Sequence, residues 1–407
     1  MSTESGCPVR LEDAPVGKSR TEAWKYLRSA GDVFENEGIW HFISAEAVKF
    51  ALQNPKLFSN QFGDTTSGAV VPGIPNGIDP PEHVRYRRVI DPMFAPRVVK
   101  EMEPGLRRQV NELIDAFIET GKCDIIADLG NLFPTQVFLT MFGLPLEDRE
   151  KIVGWVLAHY GSANAERVIA LYHGRTDEAV VPDDQDPGKL LTDYLRVKIQ
   201  EKRANPGDDI ISKVIAVAST GEKPWTDDEL LGFAVLVTQA GLDTVTNSIG
   251  FMMYQLANQP DLRRSLLADP DLIGPAIEEM LRLEMVAPFV ARVTTQDVEV
   301  CGKQIPGGSL VWICFASANR DPDVYSVPDE FNLTETRAEH FSFGAGIHRC
   351  LGSHLARQEM RIVFEEFHRR IPEYQLAEGA DPTVHWPALI VGLDEVPLVF
   401  PPGEAGR

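Results

Sequence analysis

The residues with the most pointed chemistry stand near the C-terminal end, in Phe343-Gly344-Ala345-Gly346-Ile347-His348-Arg349-Cys350-Leu351-Gly352. Three glycines and one cysteine precede a strongly amphipathic run from Leu351 to Ile371. Glycine at this density implies a tight turn or a close backbone approach. A cysteine at the mouth of a helix meets free N–H groups and the positive end of the macrodipole, which favour the thiolate. Such a thiolate is a good soft ligand for iron. The ordinary alternative is a buried structural cysteine beside a turn.

Three further constellations carry polar chemistry. Ala240-Gly241-Leu242-Asp243-Thr244 sets an acid and a hydroxyl in an otherwise apolar helical stretch. There Gly241 costs about 1 kcal/mol relative to Ala, and Thr244 can bond back to a carbonyl and bend the helix. Glu279 and Arg282 share a helical face at i, i+3, a pair that is usually solvated and of small value. His83 and Arg87 are related by i, i+4 and suit a pair of carboxylates, or simply end a basic surface helix.

Most of the elements that position these groups read as helices. Thr226 and Glu229 form a capping box, opening a helix that runs to about Gln259. At 1.5 Å per residue it spans about 45 Å, with Asp243 and Thr244 midway. Further helices are expected over Thr21–Ala30, Ser44–Asn54, Val98–Thr120, Leu129–Phe142, Leu146–Ala163, Asp186–Ala204 and Ile273–Arg282. Val33–Ile43 reads as a hairpin around Glu37-Gly38, and strands are expected in Val290–Val300, Ser309–Cys314 and Thr383–Phe400. Phe62–Pro81 and the acidic 166–187 stretch are aperiodic.

A chain of 407 residues with 43% hydrophobic and 24% charged residues describes an ordinary globular protein. Without repeat or linker, it is expected to form one domain over residues 1–407, mainly α with small β-sheets (α+β). Residues 1–20 read as a loose polar arm, neither signal peptide nor membrane anchor. Five cysteines in no zinc or disulfide pattern favour a reduced, cytoplasmic setting. A net charge of -21 argues against nucleic acid as a partner.

The cysteine loop resembles that of the cytochrome P-450 haem-thiolate monooxygenases, F-x-x-G-x-x-x-C-x-G, with Phe343, Gly346, Cys350 and Gly352 in the fixed places and Gly344 of the favoured type. The resemblance spans essentially the whole chain and implies the P-450 fold, with the long helix over a haem b. Cys350 would be the metal ligand and Phe343 would pack near its sulfur. His83, Arg87, Arg292 and His348 would bind the haem propionates. Ala240 and Gly241 would open the oxygen groove, and Asp243 and Thr244 would relay protons. Glu279 and Arg282 match the structural E-x-x-R element, whose third member would be Arg337, slightly later than the usual spacing.

Residue-by-residue matching also implies an apolar pocket. Val70, Val71, Ile74 and Ile78 would form its lid, and Leu236 and Val237 one wall. Val286, Ala287, Phe289 and Val290 would come from the segment after Arg282, and Ile390 and Val391 from the C-terminal strands. Each could equally be plain core. The reaction implied is insertion of one oxygen atom from O2 into a terpenoid, fatty-acid-like or small aromatic compound. Electrons would come from NAD(P)H through a ferredoxin reductase and a ferredoxin, docking near Arg88, Arg349 and Arg357. A monomer is expected. A peroxide-driven haem enzyme or a haem-thiolate sensor would share the loop, though neither needs the Asp243-Thr244 pair.

Overall fold

Helix Asp227–Asn258 is the spine, 32 residues long and so about 48 Å from end to end. Its start is fixed by a reciprocal cap: the Thr226 hydroxyl accepts from Glu229 N–H, and the Glu229 carboxylate accepts from Thr226 N–H at 2.7 Å. The computed structural model describes residues 9–61, 73–159, 181, 185–220, 223–333, 339–384 and 386–406.

Two hydrophobic clusters share this spine. Leu230 to Leu242 join the smaller one, with Ile74, Tyr86, Phe138, Trp155 and Leu195. Val245 to Leu256 join the larger one, with Trp24, Phe42, Ile126, Met280, Ile313 and Phe364. Asp243 and Thr244 therefore lie at the seam, where the helix passes from one apolar core to the other.

Helices Pro96–Asp115 and Ser353–Arg370 pack side by side. An ionic lattice covers the contact: Arg107 binds Glu103 and Glu366 at 2.6 Å and also Glu365, while Arg361 reaches Glu103 at 2.8 Å. Half-exposed pairs of this kind are weak singly, and their value lies in the network. The largest sheet has the order Val33–Asn36, Ile39–Phe42, Leu310–Cys314, Phe289–Thr294, Phe58–Ser59, with only Ile39–Phe42 and Leu310–Cys314 parallel. Glu37 and Gly38, at φ 53° and 82°, make the two-residue turn of the first hairpin.

The chain departs from the sequence reading in three places. Residues 9–20 are not a loose arm: Val9, Ala14 and Val16 are buried, and Leu11 O accepts from Trp386 Nε1 at 3.1 Å. Thr383–Phe400 is not one strand. Pro387 and Pro397 lack a donor, the Asp394 carboxylate folds back onto Thr383 and Glu395 N–H, and only Pro397–Val399 pairs as a strand. The chain also forms the short helices Ile210–Ala218 and Pro260–Ala268, which the sequence reading does not include. Among the described residues, Ile125–Phe142 is the one helical stretch apolar and long enough to cross a membrane, and it packs in the core against the spine.

Candidate active site

The cysteine loop is shaped by hydrogen bonds that need glycine. Cys350 N–H donates to Phe343 O at 2.8 Å, and Gly344 N–H to Phe341 O at 2.8 Å. Gly344 and Gly346 sit at φ 63° and 67°, and a Cβ on Gly346 would overlap Leu52 O. The Phe343 ring carries the Arg357 guanidinium at 4.2 Å, and that guanidinium is held bidentately by Glu278 at 2.6 and 2.7 Å. Cys350 can be touched by solvent yet is densely surrounded by protein, so it lines an inward recess and not the outer surface. Burial pushes its thiol up; the Gly352 N–H and the charges of Arg87, Arg357 and Arg349 oppose that.

The spine presents one open stripe. Between Leu230 and Met253 every residue is buried except Leu236, Val237, Ala240, Gly241 and Thr244. Spacing of i, i+1, i+4, i+5 and i+8 places all five on a single helical face. Ala240 is the most open of them, halfway along an otherwise buried helix. Thr244 Oγ1 donates to Ala240 O at 3.0 Å. Asp243 points elsewhere: it is 5% exposed, accepts from Asn247 Nδ2 at 2.9 Å, and burial pushes its carboxyl up to about 6 against that hydrogen bond.

A cluster of donors forms where helix Glu82–Ile90, strand Phe289–Thr294 and the cysteine loop meet. The rings of His83 and His348 lie 4.5 Å apart, with His83 Nε2 and His348 Nδ1 lacking any hydrogen-bond partner among the described residues. Burial, then the charges of Arg292, His83 and Arg87, push His348 down to about 3. Burial also lowers Arg292 to about 10; its Nη1 donates to Ala291 O at 2.7 Å, and no carboxylate is bonded to it among the described residues. Arg87 is partly engaged elsewhere, with Asp91 at 2.7 Å and Arg349 O at 3.2 Å. Buried donors that depress one another in this way suit a bound dianion.

Glu279 and Arg282 are buried and paired twice at 2.7 Å. Arg282 also donates to the carbonyls of Asn319, Pro328 and Glu330, and Glu279 accepts from Asn332 N–H at 2.9 Å. Position 337 lies outside the described residues.

The apolar positions divide. Ile78, Val237, Ala287 and Val290 are partly buried, as are Leu236 and Ile390. Gly73, next to Ile74, lies against Leu236, so the 73–81 loop meets the open stripe. Phe289 is a correction: strand alternation turns it to the face opposite Val290 and Arg292, where it packs on Trp24, Trp312 and Trp386. Ile74, Val286 and Val391 are buried members of the hydrophobic clusters. Val70 and Val71 lie outside the described residues.

The model of the family described as cytochrome P450 matches residues 41–370. The chain belongs to the cytochrome P450 family. It is 34% identical over 341 residues to the cyclomarin C epoxidase CymV of Salinispora arenicola, covering 81% of this chain and 84% of that protein. It is 30% identical over 384 residues to a steroid C26-monooxygenase of Mycolicibacterium smegmatis, covering 94% and 92% of the two chains. Among solved structures, a mutant of P450 EryK in complex with erythromycin B superposes with a TM-score of 0.82 at 28% identity, covering 94% of this chain and 96% of that one. This P450 is thus an oxidoreductase of the monooxygenase type that binds haem b. The site fits the group: an inward cysteine in a glycine loop, unpartnered buried donors for two propionates, and an apolar open stripe.

Several residues escaped the sequence reading. Asp79 accepts from Ser59 Oγ and Asn60 N–H, and its charge acts on both Arg292 and His83. No motif marks it. Asn247 stands one turn after Asp243, a spacing that could have drawn attention. Glu359 is fully buried in the helix after the cysteine loop, with Oε2 unpartnered among the described residues.

Proposed function

We propose that this P450 inserts one oxygen atom from O2 into an apolar small molecule of terpenoid, fatty-acid-like or small aromatic type. Electrons would pass from NAD(P)H through a ferredoxin reductase and a ferredoxin. The observation that carries the reading is the open stripe of Leu236, Val237, Ala240, Gly241 and Thr244 in an otherwise buried helix. An apolar face interrupted by one hydroxyl binds an apolar guest and still handles a proton. Relatives named for a steroid, or solved with erythromycin B, support a bulky guest.

In this reading Cys350 would hold the iron, and His83, Arg87, Arg292 and His348 would hold the propionates. The haem, when bound, would supply oxygen activation. Asp243, with its carboxyl raised to about 6, can give and regain a proton near neutral pH, which suits a relay. Thr244 gives its O–H to Ala240 O and keeps both lone pairs free, so it can accept a hydrogen bond from a water that carries the proton. Arg88 and Arg349 are exposed and would attract an acidic electron donor. Arg357 is neutralised by Glu278 and drops out of that docking face. The chain would act as a single-domain monomer in the cytoplasm.

The test is turnover by purified protein with NADH, ferredoxin and reductase, on compounds first selected by the spin-state shift of the bound iron. One oxygen atom from labelled O2 should appear in the product. Turnover with peroxide alone would favour the peroxide-driven alternative. Binding without either turnover would favour a sensor.

A further inference from the structure

Asn247 is 2% exposed on the spine and serves neither the haem cluster nor the open stripe. Its Nδ2 donates to Asp243 Oδ1 at 2.9 Å, while its Oδ1 has no partner among the described residues. The whole carboxamide is seated on the bare backbone of Gly392, where a Cβ would overlap Asn247 Oδ1. Gly392 is not at positive φ, so its value here is space. The turn around it is fixed from both sides. Val391 N–H donates to Val286 O at 2.7 Å, and Asp394 binds Thr383 N–H and Oγ1, both at 2.8 Å.

We infer that Asn247 is a positioning residue for the Asp243 carboxyl, and that its seat on Gly392 ties this carboxyl to the C-terminal turn bearing Ile390 and Val391. The inference rests on the relay reading above. An amide suits the task because it can support both states of an acid. Its NH2 donates to the carboxylate, and after a half-turn its carbonyl accepts from the protonated acid. The unpartnered Oδ1 is the atom that the second state would use.

Other charges packed around the spine do not replace Asn247. The turn Ile125–Gly130 brings Asp128, which accepts from Asp124 N–H. Helix Ser353–Arg370 brings the buried Glu359, and helix Leu132–Phe142 brings no titratable group. Helix Pro187–Ala204 pairs Lys189 with Asp193 and Lys198 with Glu201, and Arg149 on helix Arg149–His159 pairs with Glu150. Lys213 on helix Ile210–Ala218 pairs with Asp208, Arg263 on helix Pro260–Ala268 with Glu373, and Arg282 on helix Ile273–Leu283 with Glu279. Burial raises the Asp243 carboxyl, and the hydrogen bond from Asn247 opposes that rise.

The experiment compares holoenzymes of wild type, Asn247→Leu, Gly392→Ala and Asp243→Asn, each with an unaltered carbon monoxide spectrum. Turnover with NADH, ferredoxin and reductase is followed across pH with one spin-shifting compound. Asn247→Leu keeps the shape and removes the hydrogen bond to the ionised acid, so the Asp243 limb near pH 6 should move up by on the order of one pH unit. Gly392→Ala displaces the amide and should move the limb the same way. If Asp243→Asn slows turnover while both other variants keep the wild-type profile, the relay stands and this inference falls. If Asp243→Asn changes nothing, the relay reading fails and takes the inference with it. Should Gly392→Ala not fold, Asn247→Leu alone decides the positioning role.

Discussion

The Tyr86 phenol donates to the Glu229 carboxylate, the same carboxylate that caps the spine at Thr226. Arg85 joins both, and the Trp225 ring meets Tyr86 edge-on at 4.9 Å. Helix Glu82–Ile90, which bears His83 and Arg87, is thereby fastened to the first turn of Asp227–Asn258. Replacing Glu229 by Ala removes a cap and two buried-side partners at once. A loss of about 2 kcal/mol is expected in urea unfolding of the holoprotein. Haem should be lost faster to an apo-acceptor, whereas Glu229→Gln, which can still accept, should recover most of both.

Thr244→Ala is expected to bind haem and guest and still consume NADH, with product per NADH falling by roughly tenfold and hydrogen peroxide rising in its place. The hydroxyl that handles a proton beside the apolar stripe would be gone, and water would enter its space. Asp243→Asn should slow NADH consumption itself. Wild-type coupling in Thr244→Ala would reduce this threonine to a helix residue bonded to Ala240 O.

Arg292 is nearly buried and has no carboxylate bonded to it among the described residues. Arg292→Leu should weaken haem retention by roughly tenfold, the value of one charge-assisted hydrogen bond. Haem dimethyl ester offers no propionate charge, so the variant and wild type should hold it about equally. An equal loss with both haems would show that the arginine matters for packing alone.

Glu359 makes the pH-dependent case. Burial holds its carboxyl well above the usual range. The unfolded chain ionises it at about pH 4.3, while the folded chain keeps it neutral. The wild-type acid therefore loses stability as pH rises from about 4 toward its folded value, and loses nothing below. Glu359→Gln should be more stable than wild type at pH 7 by about 1–2 kcal/mol, with the advantage fading toward pH 4. Thermal unfolding of the holoprotein across that range checks it; a constant difference would mean the acid is not neutral in the fold.

What could be read from residues alone was the chemistry that is local. The capping box at Thr226 and Glu229 announces the spine, and Cys350 announces its own loop, because in both cases the informative residues are sequence neighbours. Long-range accidents of packing were not legible. Phe289 sits in an apolar run that fits either face of a strand, and only the positions of Trp24, Trp312 and Trp386 choose between them. Asn247 looks like any helix amide until Gly392, 145 residues later, is brought against it. The buried segment around Ala14 and Val16 is not legible either, because its few apolar residues show no periodicity and its tie to the fold, Trp386 Nε1 on Leu11 O, comes from the far end of the chain.

The seam in the spine also divides the way the molecule responds to a change of volume. The Glu279–Arg282 pair and the Ser353–Arg370 helix belong with the larger cluster, whereas Ile74, Phe138 and Leu242 belong with the smaller one. One rod serves both, so a new side-chain volume at Phe138 or Leu242 disturbs the half that carries Val237, while one at Met280 or Phe364 disturbs the half that carries Ala287 and Val290.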